Sequence, residues 1–477
     1  MQFVMNRLIS DNQSAFVKGR LISDNVLIAH EFMHSLKNKR YGEWDLALKL
    51  DMNKAYDRVE WSFVGNVMKK LGFCKKWLDW IQECVMTVSY SITVDGQPHG
   101  YFKPCRGLRQ GDSLSPYLFL FCAEGLSHLL HRGEQRQDIF GLRLNHRCAR
   151  ISHLFFADDS ILFSWGSEGD CQNLLSILQV YEQVSGQVVN LDKSSVFFSN
   201  NTPIQTRDRL AEILQVPHVG NQNKYLGLPS VVQRSKRVTF NYIRNKVNKK
   251  LQHWKRALLF SSGREVLIKA VATAVPLYTL SCFKLPDTLM EDIQCFMLNF
   301  WWGQKRDKRR IHWIGWKITC RPRAQGGLNF KNLKAFILAM LAKQGWRLLK
   351  QPNSLISKVY KSKYYKYTDF LRAEAGNNPS WGWKSVLEGR KVLEKGLLWK
   401  IGRGISVRIR EDSWVKEFTT ITLNSNVRPY RYQFGFHTSY YQTDNGIRVK
   451  SENGSIQKFF KQLYRPIYTM GKILLPG

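Results

Sequence analysis

Two adjacent aspartates inside an apolar stretch constrain this chain more than any other feature. Asp158 and Asp159 interrupt residues 155–163, which otherwise have the composition of a buried strand. Moving one ionised carboxylate out of water costs roughly several kcal/mol, and two neighbours also repel each other. The stretch is either a surface hairpin with an acidic tip or a turn that presents carboxylates to a divalent cation, which would offset that cost.

The charge of the chain makes phosphate polymers the first class of partner to consider. Its 477 residues carry 72 Lys and Arg against 37 Asp and Glu, a formal net charge of +35. Residues 231–350 hold 25 of the cations and only 5 of the acids, so the basic region lies downstream of the aspartate pair. An anionic membrane surface is the competing explanation for such charge. A hydrophobic share of 44% excludes a disordered chain, and the length indicates roughly two to four domains.

Cysteine usage and the first residues favour an intracellular protein, in the nucleus, the cytoplasm or both. The nine cysteines are scattered, mostly in apolar surroundings, and have no CxxC spacing, which predicts free thiols rather than disulfides or a zinc site. Residues 1–10 have neither the apolar core of a secretion signal nor a transit-peptide bias. Lys269 and Pro276 interrupt the apolar residues 266–283, so we expect core helices there and no membrane span. Residues 305–310 suit a nuclear-import signal or a phosphate-binding loop.

A second acid lies at the end of another strand. Leu46, Leu48 and Leu50 alternate as in a half-buried strand that ends at Asp51, and an amphipathic helix is expected to open at Met52. Two strands of one sheet can bring three carboxylates together, which is what two Mg²⁺ ions need to promote phosphoryl transfer. A P-loop ATPase is excluded as the source of the acidic strand because no G-x-x-x-x-G-K-[ST] occurs.

Further along the chain, a glycine-containing loop at residues 106–116 precedes a helix for which Ser115 is the expected cap. Asp95 and Gly96 predict a hairpin turn, and residues 188–198 read as a strand carrying Lys193. Residues 231–350 are mainly helical in pattern and rich in tryptophan, and we expect most of those tryptophans to lie in the core.

Five motifs, in order, resemble the palm of reverse transcriptases from non-LTR, LINE-type retrotransposons, most of all the plant members. They are LDMNKAYD at 50–57, RGLRQGD at 106–112, FADD at 156–159, GQVVNLDK at 186–193 and YLGL at 225–228. QSAFVKGR at 13–20 matches an upstream fingers segment of that family, and GREVLIK at 263–269 and FWWG at 300–303 match downstream stretches.

The resemblance implies a role for each motif residue. Asp51, Asp158 and Asp159 would be catalytic and bind two Mg²⁺ ions, with Mn²⁺ as a substitute, and Lys193 would assist the leaving pyrophosphate. The implied nucleotide-binding residues are Tyr56, Arg109, Gln110, Gly111 and Ala157, with Tyr56 excluding a 2′-hydroxyl and Gly111 standing where a side chain would collide. The implied primer grip comprises Tyr225, Leu226, Gly227 and Leu228.

The implied fold is α+β: a right-hand polymerase palm with partial fingers, followed by a mainly helical basic thumb and a C-terminal extension. The expected divisions are partial fingers at 1–44, palm at 45–230, thumb at 231–350, a tryptophan-rich extension at 351–414 and a tail at 415–477. The implied partners are an RNA template, an RNA–DNA hybrid and deoxynucleoside triphosphates, with no membrane.

Departures from the family pattern leave alternatives open. Ser113 replaces the usual proline, and we expect a truncated copy without the endonuclease, the carboxy-terminal Cys/His knuckle and the first fingers segment. The chain is then either a working RNA-directed DNA polymerase or a non-catalytic RNA-binding remnant. A maturase-like RNA-binding protein is the third alternative, which the LINE-type motif spellings disfavour.

Overall fold

The computed structural model describes residues 1–218, 224–254, 259–303 and 311–397. Met1–Val392 form one compact unit, and Leu393–Gly477 form a second unit of which the first few residues are described. The tail at 415–477, the end of the extension and the basic run at 305–310 lie outside the described residues. The divisions at residues 44, 230 and 350 stay predictions about parts of the first unit.

A four-stranded antiparallel sheet in the order β4-β5-β1-β6 organises the N-terminal half. Two separate two-stranded hairpins, β2-β3 and β7-β8, complete the strands of the described residues. The bounds are β1 Asp45–Leu50, β2 Tyr90–Val94, β3 Gln97–Phe102, β4 His153–Phe156, β5 Asp159–Trp165, β6 Ser195–Phe198, β7 Lys224–Tyr225 and β8 Leu228–Pro229.

Helices flank the sheet and make up nearly all regular structure after residue 230. The bounds of the first group are α1 Gln2–Leu8, α2 Ile22–Asn38, α3 Trp61–Lys70, α4 Lys75–Met86, α5 Ser115–Gln135, α6 Glu168–Ser185 and α7 Ile204–Leu214. Those of the second are α8 Lys236–Trp254, α9 Ser261–Leu267, α10 Leu277–Leu280, α11 Asp287–Trp301, α12 Trp316–Thr319, α13 Leu333–Lys350, α14 Leu355–Tyr364 and α15 Trp381–Gly396. A π-helical turn, Ile268–Ala272, continues α9.

The central strand β1 is covered on both faces, not on one as its alternation predicted. Leu46, Leu48 and Leu50 join the core made with α3, α5 and α6. Ala47 on the opposite face is also buried, and β5 packs on α2 there, with the rings of Phe32 and Phe163 stacked at 4.7 Å. Ala47 is small but apolar, so this face of β1 is also part of the core. β1 is therefore a core strand, and packing on both faces holds its backbone in place.

Helix α2 carries an unusual set of buried polar side chains that join separate parts of the unit. Asn25 Nδ2 donates to the carbonyl of Phe155 in β4 at 2.7 Å. Asp24 forms a two-pronged ion pair with Arg347 of α13, and the two side chains are only 9% and 13% exposed. Glu31, which is fully buried, accepts hydrogen bonds from Lys363 Nζ and the Tyr364 hydroxyl of α14 and from the Ser380 hydroxyl. The helix therefore connects the four-stranded sheet to the C-terminal helices.

Several local predictions need correction. Residues 53–58 form turns, and the helix expected from Met52 begins only at Trp61. The strand expected at 188–198 is confined to Ser195–Phe198, because a turn that carries Lys193 interrupts it. Ser115 does not cap α5; the Asp112 carboxylate instead accepts from the amides of Leu114 and Ser115. A carboxylate at a helix N-terminus also interacts favourably with the helix dipole.

The predicted turn of the β2-β3 hairpin is confirmed. The hairpin β2-β3 turns at Asp95 and Gly96, both with positive φ, as a type I′ turn requires. Among the described residues no helix is long and apolar enough to cross a bilayer. All nine cysteines are free thiols, although only Cys122, Cys148, Cys171 and Cys282 are buried.

The tryptophans of residues 231–350 are less buried than expected. None of the six is fully buried, and Trp313 and Trp346 are 77% and 42% exposed. The largest fully buried side chain of the described residues is instead Trp383 in α15, against which Tyr364 stacks at 4.6 Å. Whether a tryptophan is buried depends on how α13, α14 and α15 pack on α2. The local sequence around each tryptophan does not predict that packing.

The Asp24–Arg347 pair gives a stability prediction. We expect Arg347→Met to destabilise the unit by about 3–5 kcal/mol, because it leaves a buried carboxylate without its cation. The Asp24→Asn/Arg347→Met double variant should recover part of that loss. Urea unfolding followed by circular dichroism measures both.

The matched control is Lys334→Ala, which breaks the exposed Lys334–Glu291 pair at 2.7 Å and should cost below about 1 kcal/mol. Equal destabilisation by Arg347→Met and Lys334→Ala would contradict the view that the α2–α13 pair holds the unit together.

Candidate active site

The acidic pair lies where the two-residue turn between β4 and β5 meets β5, with Asp158 in the turn and Asp159 as the first residue of β5. Phe156 pairs with Asp159, so Ala157 and Asp158 are the two turn residues. Ala157 has φ of +53°, at the position where a type II′ turn prefers glycine. A non-glycine residue there carries strain of about 1–3 kcal/mol, which the surrounding contacts must offset.

Gln13 supports this strained turn from the side. Its buried side-chain carbonyl accepts hydrogen bonds from the Ala157 amide at 3.1 Å and from the Ala15 amide at 2.9 Å. The segment around Gln13 runs parallel to β4, where Ser14 N donates to the carbonyl of Phe155 at 3.0 Å. The upstream segment therefore acts as an extra edge strand that fixes the hairpin.

The register of β1 and β5 brings the third acid to the same edge. Leu50 pairs with Ser160, which places the next residue, Asp51, beside Asp159. The backbone of Asp51 is held on its other side, because its amide donates to Ser194 Oγ at 3.2 Å and its carbonyl accepts from the Asn190 amide at 2.7 Å. The predicted convergence of the three acids at one end of the sheet is what this register produces.

Electrostatic interactions show that the three carboxylates influence one another. Burial raises the pKa of Asp159, and the charges of Asp158 and Asp51 raise it further, while Lys49 lowers it. Burial also raises the pKa of the Tyr56 phenol, with a further contribution from the charge of Asp158. Repulsion among the acids is thus only partly relieved by the protein's own cations.

A divalent cation would relieve the remaining repulsion, and the donor set suits one. Carboxylate oxygens are the ligands that Mg²⁺ prefers. Asp158 is exposed and Asp51 and Asp159 are half-buried, so all three remain accessible. Within the described residues, however, no three acidic, histidine or cysteine side chains are already arranged around a metal position. The site fits Mg²⁺ in donor chemistry and in backbone placement.

The loop at residues 106–112 is docked beside Tyr56. Leu108 N donates to the carbonyl of Tyr56 at 2.8 Å, and Gly107 N donates to that of Val59 at 2.9 Å. Gly107 has φ of +93°, and a Cβ there would lie 2.7 Å from the backbone oxygen of Asp57, so glycine is required. The Tyr56 ring is stacked on Phe119 at 4.9 Å.

The other predicted nucleotide-binding residues of this loop face solvent. Arg109, Gln110 and Gly111 are exposed. A Cβ on Gly111 would meet no protein atom within 4 Å, so within the protein its φ of +86° is the reason for glycine. The collision of a side chain at position 111 with a bound nucleotide stays a prediction. Lys193 is also exposed, on the turn next to the Asn190 and Ser194 contacts with Asp51.

The predicted primer grip is a tight hairpin clamped from two sides. Leu226 and Gly227, both with positive φ, form the turn between β7 and β8. The buried Tyr225 hydroxyl donates to the carbonyl of Leu154 in β4 at 3.5 Å. From the helical region, the Tyr278 hydroxyl donates to the carbonyl of Leu226 at 2.9 Å. Burial is the main cause that raises the pKa of both tyrosines, and the charge of Asp159 adds to it.

Sequence reasoning missed three residues that support this site: Gln13 as the acceptor for the Ala157 turn, Asn25 as the donor to Phe155, and Tyr278 as the clamp on the grip. Gln13 belonged to a matched segment but had no assigned task. Asn25 and Tyr278 lie in helices that carry other polar residues, and a buried polar side chain indicates a hydrogen bond without naming its partner.

Asp159 gives a pH-dependent stability prediction. Because its pKa is raised in the folded protein, ionising it weakens folding. We expect Asp159→Asn to stabilise the metal-free protein near neutral pH by a few tenths to about 1 kcal/mol, after a discount for partial solvent screening. The gain in unfolding free energy should be complete at pH values above the raised pKa of Asp159. It should vanish once the pH falls below the usual pKa of an aspartate. Thermal unfolding in EDTA between pH 3.5 and 7.5 measures it.

The control for this experiment is Asp95→Asn, which changes an exposed acid on the β2-β3 turn and should alter the melting temperature little at any pH. A lower melting temperature for Asp159→Asn at pH 7 would contradict the proposed repulsion.

Comparison with known proteins agrees with this geometry. Residues 1–230 match the family model for reverse transcriptase (RNA-dependent DNA polymerase). An uncharacterized mitochondrial protein of Arabidopsis thaliana is 36% identical over 149 residues, 31% of this chain and 97% of the relative. A putative ribonuclease H protein of the same plant is 30% identical over 207 residues, 42% of this chain and 33% of that protein.

A relative with a retrotransposon name is more distant. The Pol polyprotein from a type-2 retrotransposable element of Drosophila melanogaster is 28% identical over 144 residues, 30% of this chain and 13% of that polyprotein. This chain therefore spans about a third of the ribonuclease H-like relative and a smaller part of the polyprotein. The α+β palm is confirmed, and the chain belongs to the reverse transcriptase family, among the relatives of plant and other non-LTR retrotransposon proteins.

Proposed function

We propose that this chain copies RNA into DNA by adding deoxynucleotides to a primer 3′-hydroxyl, with Asp51, Asp158 and Asp159 holding two Mg²⁺ ions. Reverse transcriptases in general use divalent metal ions, and family membership makes an RNA template the expected partner. The observation that carries the proposal is the pairing of Leu50 with Ser160, which brings Asp51 beside the acidic turn.

The ions would supply charge stabilisation to the hydroxyl nucleophile and to the leaving pyrophosphate. The protein's own contribution is placement. The β1–β5 ladder sets the spacing of Asp51 and Asp159, and the Gln13 contact holds the turn that displays Asp158. Without bound metal, the three carboxylates repel one another. This repulsion follows from placing them where they can bind metal and nucleoside triphosphate together.

The remaining residues would select and orient the substrate. Tyr56, fixed against Phe119, presents a rigid ring near Asp158, which suits a barrier to a 2′-hydroxyl. Lys193 on the turn beside Asp51 would neutralise charge on the pyrophosphate as it leaves. The exposed Arg109, Gln110 and Gly111, with Ala157 of the turn, would contact the template base and the incoming nucleotide. Tyr225, Leu226, Gly227 and Leu228 would hold the primer end.

In this proposal the substrates are deoxynucleoside triphosphates, and an RNA–DNA hybrid lies along the basic region at 231–350. The protein would act inside the cell, in the nucleus or the cytoplasm. A hybrid would be recognised by its shape and phosphate charge. The helices α8 to α13 supply the positive surface, with Trp313 exposed among them.

Primer extension on an RNA template tests the acid site. We expect Asp158→Asn/Asp159→Asn to lower extension at least about a thousandfold, because loss of about 4 kcal/mol of metal-supplied stabilisation corresponds to three decades of rate. Asp95→Asn, an equal change at an exposed turn, should extend as the unaltered chain does. Extension by the double variant at the unaltered rate would refute the assigned site.

A second prediction concerns sugar selection. Tyr56→Ala should raise incorporation of ribonucleotides relative to deoxynucleotides at least about tenfold, since it removes the ring that would meet the 2′-hydroxyl. Tyr56→Phe keeps that ring and should retain the selectivity. The measurement is the ratio of kcat/KM for matched nucleotide pairs. An unchanged ratio in Tyr56→Ala would exclude Tyr56 as the barrier.

The second candidate is non-catalytic RNA binding. It is favoured by the lack of a ready-made metal arrangement among the described side chains, together with the net charge of +35. This function predicts RNA affinity that falls steeply with salt and survives Asp158→Asn/Asp159→Asn, with no extension product from the unaltered chain.

A further inference from the structure

A large cavity lies away from the acids, between the first turn of α8, the segment before α11, and α15. Its volume is about 690 Å³, and none of its lining residues belongs to the candidate active site. Two hydrogen bonds form its back: Trp381 Nε1 donates to the carbonyl of Lys284 at 3.1 Å, and Lys284 N donates to Ser385 Oγ at 2.9 Å. The cavity is therefore a structured feature of the first compact unit.

The walls of the cavity are apolar. Trp381, Leu285, Pro286 and Leu387 are the large apolar side chains among the lining residues, and Trp381 is half-buried. An aromatic face in an apolar cleft is the usual platform for a nucleic-acid base, because every base presents a π-face of its own.

The rim is cationic, and two of its four cations have no acidic partner among the described residues. Lys284 pairs with Glu388 at 2.9 Å and Arg237 with Asp292 at 3.0 Å. Lys236 Nζ lies 5.2 Å from the centre of the Trp381 ring, and Lys384 is exposed on the next turn of α15.

Two carboxylates line the cavity, Glu388 and Asp287, and Glu388 is paired with Lys284. Asp287 lines the cavity at the first turn of α11, where it lies within electrostatic reach of Lys334. The surplus of positive charge is therefore at Lys236 and Lys384, on the Trp381 side. A ligand that places its anionic group on that side gains both ammonium contacts and stays away from Asp287.

We propose that this cavity binds a single unpaired nucleotide of an RNA strand, with the base on Trp381 and its phosphate between Lys236 and Lys384. The volume is in the range of small-molecule sites, which is about 300–1,000 Å³. The lining residues Lys236, Arg237 and Lys284 belong to the basic region at 231–350, which suits the phosphates of a strand. This site is separate from polymerisation and would hold RNA on the enzyme whether or not extension occurs.

The test uses the full chain with Asp51→Asn/Asp158→Asn/Asp159→Asn and EDTA, so that the candidate active site cannot bind nucleotide through metal. The probe is a fluorescently labelled oligo(A) of eight ribonucleotides, followed by anisotropy. We expect Lys236→Ala/Lys384→Ala to raise Kd about tenfold or more, as loss of charged contacts does. Trp381→Ala should also weaken binding, whereas Trp381→Phe should largely preserve it.

Lys317→Ala removes one exposed cation of α12 outside the cavity and is the matched control for the single variants Lys236→Ala and Lys384→Ala. Photocrosslinking of a 4-thiouridine oligonucleotide locates the contact, and crosslinks are expected in the peptide that contains Trp381. Equal Kd values for Lys317→Ala and Lys236→Ala/Lys384→Ala, or crosslinks confined to other peptides, would overturn the proposal. Binding of AMP without binding of the oligonucleotide would overturn the assignment to a strand. Polymerase failure in primer extension leaves these readouts unaffected.

Discussion

The antiparallel pairing of β1 with β5 is the constraint on which the candidate site depends. Side chains alternate between faces along a strand, so a slip of one residue would turn Asp51 to the opposite face from its partner acids. β1 also pairs with β6, where Leu48 faces Val196, so a slip would have to break two ladders together. Burial of the strand on both faces adds a further penalty, because Lys49 would replace a leucine in the core. Placement of the acids is thereby set by core packing, and the acids themselves need contribute nothing to stability.

Helix α2 supplies the second level of organisation. Buried polar groups left without partners cost about 1–3 kcal/mol each, so Asn25, Asp24 and Glu31 strongly favour one docking arrangement over slightly shifted ones. Their partners lie in β4, α13 and the α14–Ser380 region. Nonspecific apolar packing would tolerate such shifts, whereas directional hydrogen bonds do not. The position of the β4–β5 hairpin relative to the C-terminal helices is therefore set through α2.

Sequence patterns predicted the acid-bearing strands, the β4–β5 hairpin and the β2–β3 turn, since each rests on local alternation or turn chemistry, whereas the α+β class came from the family resemblance. The same reasoning misplaced the helix at Met52, because the segment's apolar spacing is helical while its backbone is held by contacts with the 106–112 loop and residues 185–190. It also could not find the Gln13 and Tyr278 contacts, which join residues far apart in the chain. These hydrogen bonds depend on which residues the tertiary fold brings together, and a single sequence does not show those partners.

The polar face of α2 also bears on where this protein can be divided. The segment shared with the family model ends at residue 230. His30 Nδ1 lies 3.1 Å from the carbonyl of Ser230, and beyond that point Arg347 and Lys363 neutralise Asp24 and Glu31. A polypeptide ending at 230 would keep two buried carboxylates and lose both of their cations. Family similarity and cooperative folding thus have different boundaries here: the segment that matches the family model ends before the residues that neutralise its buried carboxylates.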